Sequence, residues 1–379
     1  MKRKFPVAAA AALAMVMTAC SGGGQADDEQ AVNADAAAAE TRTVVDHWER
    51  EIELPASVDR AVVMEWEGLV AKSMLLFGLD ERIVGVDTAT ARQPFRTHLI
   101  PAIEDAVDVG NAWSGINYEE LAALEPDVVF LESWQASEEN LEMHQVEVEK
   151  IEALDIPVIV FVSPSNYEQP DIATAWEHIE IVGQVFGEEQ QATDLVAALD
   201  ERLDLIRERT ADLTEDEKAD VVLFATIDNI MGEQSIQSYF LTDIVNANNI
   251  AGPGTFITVS EEQLLGLDPD VLVVLGHDGY LDLQRVRDGE QVGLNWANLQ
   301  ELDAIAEGRM VSLGYDEWRA TLETPIALLK MAMAIYPDRF SDIDIEEEEL
   351  RLYEELYGLD RADAERAVEA QRYTGELDT

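Results

Sequence analysis

The chain predicts an α/β fold: two Rossmann-like α/β lobes joined by a long helical connector, with a ligand cleft between them. Three observations carry this. From Thr43 onward, short β-branched runs alternate with helical patterns, the mark of layered α/β architecture. Asp171 to about Leu213 is helical in pattern throughout, broken only at Gly187. The motif Glu-x-Leu-x-x-Leu-x-Pro-Asp, followed each time by an apolar run, occurs at Glu119 and again at Glu262, 143 positions later. A duplicated unit on either side of one helical stretch implies two related halves.

The elements follow in order. Lys2, Arg3 and Lys4 precede the apolar run Phe5 to Ala19, shorter than the roughly 20 residues of a membrane-spanning helix and suited to an export signal. It ends in Met17-Thr18-Ala19-Cys20, followed by Ser21 and three glycines. This resembles a lipobox, whose cysteine becomes the lipidated first residue of the mature protein, although Met17 stands where Leu is usual. Residues 1–19 are thus expected to be a signal peptide, and 20–42 a lipidated Cys and flexible tether without apolar periodicity. In the N-terminal lobe, 43–168, Thr43–Val45 and Glu51–Leu54 read as a hairpin. Ala61–Met64, Ile83–Val86, Val128–Leu131 and Val158–Val162 read as buried strands, and Gly68–Phe77 and Glu138–Leu154 as helices. Connecting helices fill 169–213, where Leu195, Leu199, Leu203 and Ile206 recur at helical spacing. The C-terminal lobe, 214–340, offers Val221–Ala225, Val271–Leu275 and Met310–Leu313. Residues 341–379 read as an acidic helical tail. Within the repeats, Asn117 with Glu120 and Ser260 with Gln263 are capping signals, and Pro126 and Pro269 stop two-turn helices ahead of the strands.

Composition excludes several functions. Asp and Glu number 78 against 25 Lys and Arg, for a net charge of −53, which argues against a nucleic-acid partner because phosphate neutralisation needs clustered bases. The acid is spread along the chain, as on a solvated surface suited to high salt. Cys20 is the only cysteine, so there is no disulfide framework and no cysteine-rich metal site. Five scattered histidines, no Gly-x-Ser-x-Gly elbow and no catalytic cysteine argue against an enzyme.

The ordered series of motifs resembles the ferric-siderophore and cobalamin class of substrate-binding proteins that serve ATP-driven (ABC) importers. It runs from about Thr43 to Gly358: Thr43-Val44-Val45-Asp46 with Arg50, Arg60-Ala61-Val62-Val63, Gly78-Leu79 before Ile83-Val84-Gly85-Val86, Val109-Gly110, Asn117-Tyr118-Glu119 and Leu124-Glu125-Pro126-Asp127, then Val259-Ser260-Glu261-Glu262, Pro269-Asp270, Trp296 and Tyr336-Pro337. Glu49 departs from it, standing where the family has a turn glycine. The resemblance implies a monomer outside the cytoplasm, anchored to the cell membrane through Cys20 alone. Its partners would be a permease dimer and that dimer's ATPase. It also implies that Glu119 and Glu262, one per lobe, meet arginines of the two permease subunits, a task for which orienting charges suit.

Ligands of α/β sheets bind beyond the carboxyl ends of strands. The residues expected there to bind ligand are Trp66, Glu67, Trp113, Trp134, Tyr167, Asn229, His277, Tyr280, Tyr315 and Trp318, an aromatic set suited to a broad, partly apolar molecule. Trp296 is expected to be structural. Arg92, Arg96, Arg285, Arg287 and Arg319 are the near-cleft cations, too few for a polyanionic catecholate complex. A neutral or cationic hydroxamate-type iron–siderophore or a corrinoid fits better, with haem a further option, and no intrinsic cofactor or resident metal is expected. The alternatives are a bare zinc or manganese carrier, with His98, His277, Glu67 and Asp228 converging, and a ligand sensor of the same fold.

Overall fold

The computed structural model describes residues 41–166, 170–226, 228–277 and 279–372. The signal segment, Cys20, the tether and Tyr167 lie outside the described residues.

Strand β1 (Thr41–Val45) pairs antiparallel with β2 (Glu51–Pro55). The turn between them forms without a glycine: Glu49 takes a φ of 58°. Such a left-handed residue needs local support, and Asp46 supplies it. Its carboxylate accepts from the Trp48 and Arg50 amides and from the Arg50 guanidinium.

The N-terminal sheet is fully parallel. Its members are β3 (Ala61–Met64), β4 (Ile83–Val86), β5 (Val107–Asp108), β8 (Val128–Ser133) and β9 (Val158–Val162), in the order β5-β4-β3-β8-β9. A small hairpin of β6 (Gly110–Asn111) and β7 (Gly115–Ile116) follows β5. Near-continuous Val, Ile and Leu in β3, β8 and β9 suit strands covered on both faces. The C-terminal sheet is mixed. It comprises β10 (Asp220–Phe224), β11 (Asn229–Met231), β12 (Asn248–Asn249), β13 (Phe256–Thr258) and β14 (Val271–Val274), and beyond a second hairpin of β15 (Gln291–Val292) and β16 (Leu294–Asn295), β17 (Met310–Ser312). The order is β13-β11-β10-β14-β17, with β12 also on β10. Both β11 pairings are antiparallel; β12, β14 and β17 join in parallel.

The repeat is visible in the backbone. Helices Tyr118–Ala123 and Glu261–Leu267 are capped by Asn117 and Ser260, which accept from the Glu120 and Gln263 amides. Each helix is left through a left-handed residue directly before proline, Glu125 (φ 44°) and Asp268 (φ 49°). The following aspartates then align strands. Asp127 Oδ2 accepts from the Asp59 and Arg60 amides beside β3, and Asp270 Oδ2 from the Asp220 amide of β10.

The connector is two helices, Ile172–Phe186 and Glu189–Thr210, packed on each other about Gly187, whose φ of 75° closes the first. Leu195, Leu199, Leu203 and Ile206 face a core cluster shared by both sheets, the connector and the tail. The tail forms helices Ile345–Tyr357 and Arg361–Gln371, which clasp both lobes. Gln371 receives the Tyr315 and Asp316 amides in the C-terminal lobe, while Asp363 meets His98 of the N-terminal lobe through its carbonyl. No described helix is long and apolar enough to cross a membrane.

Candidate functional site

A cleft of about 530 Å³ opens beyond the carboxyl ends of the parallel strands. The N-terminal half of its lining is Trp66 and Glu67 after β3, Asn111, Trp113 and Ser114 of the β6–β7 hairpin, Glu132 and Trp134 at the end of β8, and Ser165 after β9. The C-terminal half is Met231 of β11, Gln237, Phe256 of β13, His277 after β14 and Trp318 after β17. A side chamber of about 60 Å³ shares Trp66, Asn111, Trp113 and Glu132 with the cleft. Five aromatic rings in one cleft give a wall for a wide molecule with apolar faces.

Carboxyl groups are concentrated in the N-terminal half of the floor. Glu65 receives the Val70 and Ala71 amides at 2.8 Å and so anchors helix Leu69–Leu76. Glu132 Oε2 receives the Trp66 amide at 2.6 Å and the Glu67 amide at 2.9 Å. Burial raises all three carboxyls: Glu65 to about 7, Glu132 to about 8 with the Glu67 charge adding to the effect, and Glu67 above its ordinary value, pulled back partway by Arg319 and Arg96. The low dielectric disfavours each ionised form, and neighbouring carboxylates compound this.

Beneath the cleft a buried ionic network crosses between the lobes. Lys72 reaches Asp316 at 3.0 Å and Glu323 at 2.5 Å, and Arg96 binds both oxygens of Asp316. Burial alone would raise Asp316, but Arg96 and Lys72 hold it well below the usual carboxylate range. Arg96 from one lobe and Arg319 from the other donate to the same acceptor, the Trp66 carbonyl, at 2.7 and 2.6 Å. The Arg319 guanidinium lies 4.3 Å from the Trp66 and Tyr315 ring centroids and 4.9 Å from that of Trp318. Gly68 permits the crossing: a Cβ there would stand 2.7 Å from the Arg96 guanidinium, at a φ of 82°.

Of the residues expected to bind ligand, Trp66, Glu67, Trp113, Trp134, His277 and Trp318 come together in the lining. Tyr167 lies outside the described residues. Asn229, Tyr280 and Tyr315 stand elsewhere. Asn229 is occupied with Thr226, Asp228 and Thr258 at the β10–β11 turn. Tyr280 lines a separate hollow against the tail with Lys330 and Glu349, and Tyr315 supports Arg319. Trp296 is buried against Phe224 and donates to the Val292 carbonyl. Arg96, expected near the cleft, is committed to the network below it; Arg319 donates Nε and Nη1 to the Tyr315 and Trp66 carbonyls, and its Nη2 is buried without a hydrogen-bond partner.

Asn111, Ser114, Met231, Gln237 and Phe256 escaped sequence reasoning, although one signal was present for Phe256. It stands 143 positions after Trp113, the offset of the repeat, and the two are exposed alike, at 47% and 56%. Six residues beyond each lie Glu262 and Glu119. Both glutamates are exposed and form no side-chain hydrogen bond or ion pair among the described residues, whereas neighbouring Glu261 binds Asn295 and Asn298. Asn117 and Ser260 already cap the helices, so the repeated glutamates are not needed there.

Comparison with known proteins gives this geometry a context. Residues 63–316 match a family model described as periplasmic binding protein. The chain is 26% identical over 338 residues to the molybdate-binding protein MolA of Haemophilus influenzae, covering 83% of this chain and 91% of that one. It is 22% identical over 270 residues to YvrC of Bacillus subtilis, named as an ABC transporter substrate-binding lipoprotein, covering 70% of this chain and 76% of that one. The crystal structure of a periplasmic solute binding protein from Veillonella parvula superposes with a TM-score of 0.70 at 21% identity, over 86% of this chain and 95% of that one.

Proposed function

The chain belongs to the periplasmic binding protein family, the extracytoplasmic substrate-binding components of ABC transporters, and on that premise we propose that it captures a neutral or cationic metal chelate, foremost a ferric hydroxamate-type siderophore. A corrinoid or haem belongs to the same class of broad, partly apolar chelate. The observation that carries this is the composition of the cleft: five aromatic rings around about 530 Å³, with no lysine or arginine among the described lining residues. That volume lies within the usual range for small-molecule sites. MolA is named for molybdate, an oxyanion, and a site for an oxyanion wants the cations that this lining lacks.

Delivery is assigned to Glu119 and Glu262, the exposed glutamates at matching positions of the repeat, which would meet the two permease subunits and orient docking. The mature protein is proposed to be a monomer held at the membrane by a lipid on Cys20, a reading supported by the basic head, the short apolar run and the lipobox-like ending. Cys20→Ser should release it from membranes.

The cargo is tested by titrating tryptophan fluorescence with a ferric trihydroxamate, a ferric tricatecholate, cobalamin, haem, molybdate and zinc. The trihydroxamate should quench saturably at micromolar concentration or below, about −8 kcal/mol or tighter, with molybdate and zinc silent. Tight binding of molybdate or zinc with no response to any chelate would sink the proposal.

A further inference from the structure

The cleft floor contains a carboxylate that the protein itself leaves half used. Glu67 is 4% exposed. Its Oε1 accepts from Ser163 Oγ at 3.3 Å, while Oε2 has no hydrogen-bond partner. A buried acceptor left unmet is costly, and such an atom calls for an explanation. Because Glu67 lines the cleft, a molecule seated there can supply the missing donor.

The surrounding charges do not supply it. Arg319 is the nearest candidate, and its charge acts on Glu67, but no ion pair joins the two within 4.0 Å and its Nη2 is likewise buried without a hydrogen-bond partner. Its Nε and Nη1 donate to the Tyr315 and Trp66 carbonyls. Lys72 and Arg96 are committed to Asp316 and Glu323. Glu132 lines the same floor and adds a second carboxyl, whose Oε2 already accepts two amides. His277, also in the lining, sits against the Trp66 and Trp318 rings. A floor with two carboxyl groups and no lysine or arginine among its described lining residues favours positive charge in its occupant, and the raised affinity of both groups for protons accords with that.

We propose that Glu67, backed by Glu132, is the recognition group for a protonated amine on the cargo. The cargo class then narrows to metal chelates carrying a primary ammonium arm that reaches the floor while the chelate meets the aromatic wall. This rests on the chelate reading above.

The test compares ferrioxamine B, a ferric trihydroxamate with a pendant primary amine, with its N-acetylated form at pH 7 and fixed ionic strength. Acetylation removes the charge and leaves the iron centre unchanged. The native protein should bind the amine form roughly tenfold or more tighter, the size of one charge-assisted hydrogen bond. Glu67→Gln should bring that ratio to about one, and Glu132→Gln should reduce it. Equal affinity for the two forms in the native protein overturns the inference and leaves the chelate reading standing. So does a ratio that survives Glu67→Gln alongside a lowered melting temperature, which would assign Oε2 to Arg319 as a structural partner. If neither form binds, the chelate reading falls and this inference falls with it.

Discussion

The two halves of the cleft share a scaffold but differ in chemistry. The same unit recurs in both: an exposed aromatic, a capped short helix whose second residue is a glutamate with no side-chain partner among the described residues, a left-handed residue before proline, and an aspartate that aligns the next strand. Beyond that unit the likeness ends. The N-terminal floor is built of buried carboxyls tied to backbone amides, whereas the C-terminal wall offers Met231, Gln237, His277 and Trp318. The backbone unit is thus common to both lobes, while the side chains behind it differ between them.

The two halves should differ most in their tolerance of a side chain at a left-handed glycine. Gly68→Ala puts a Cβ against Arg96 in a left-handed conformation and should cost roughly 3 kcal/mol or more. Gly252→Ala, at a φ of 86° in open space on the C-terminal side, should cost only about 1 kcal/mol. Paired urea melts check this, and equal losses would dissolve the distinction between the crowded Gly68 and the open Gly252.

Removing both Glu119 and Glu262 should lower uptake on the order of a hundredfold, about 2.8 kcal/mol, with cargo affinity nearly intact. Each single change to Ala should give a comparable share if the two lobes dock alike. A double variant that transports at the native rate returns the glutamates to the solvated surface.

The aligning aspartates differ in how much backbone they hold. Asp127 holds two amides and Asp270 one amide plus Arg309 at 3.3 Å. Asp127→Ala should therefore destabilise by about 2 kcal/mol and Asp270→Ala by about 1 kcal/mol. The order of the two melting temperatures decides it.

The smallest effect is one of pH. Glu132 is raised from an ordinary 4.5 to about 8 by burial and by Glu67. A group raised on folding stabilises fully below its unfolded value, and that contribution is lost as pH rises through the folded one. The native protein should thus lose stability relative to Glu132→Gln as pH rises from 4.5 to 8. Parallel pH curves for the two proteins would contradict it. No counterpart is expected in the C-terminal wall.

Much of the scaffold was legible because it rests on local rules. Alternating apolar runs marked the strands, Gly187 marked the break in the connector, and the capping residues and prolines marked both repeats. What sequence could not supply was lateral. β11 and β13 are three residues each and pair antiparallel, too short for periodicity, so Met231 and Phe256 went unnoticed. Arg96 and Arg319 resembled cleft cations, yet their carboxylate and carbonyl partners lie more than 200 positions away in several cases, a pairing that spacing cannot reveal. Tyr280 and Tyr315 follow strands as the cleft residues do, but the tail, whose role the sequence left unread, packs on their side and draws them away.

The most direct test of the account is a crystal structure of the protein with a ferric trihydroxamate. The chelate should lie between Trp113 and Phe256, over Trp66, with its polar groups toward Glu67 and Glu132. A chelate seated instead in the hollow beside Tyr280 and Lys330, or on the outer surface with the aromatic cleft untouched, would contradict it.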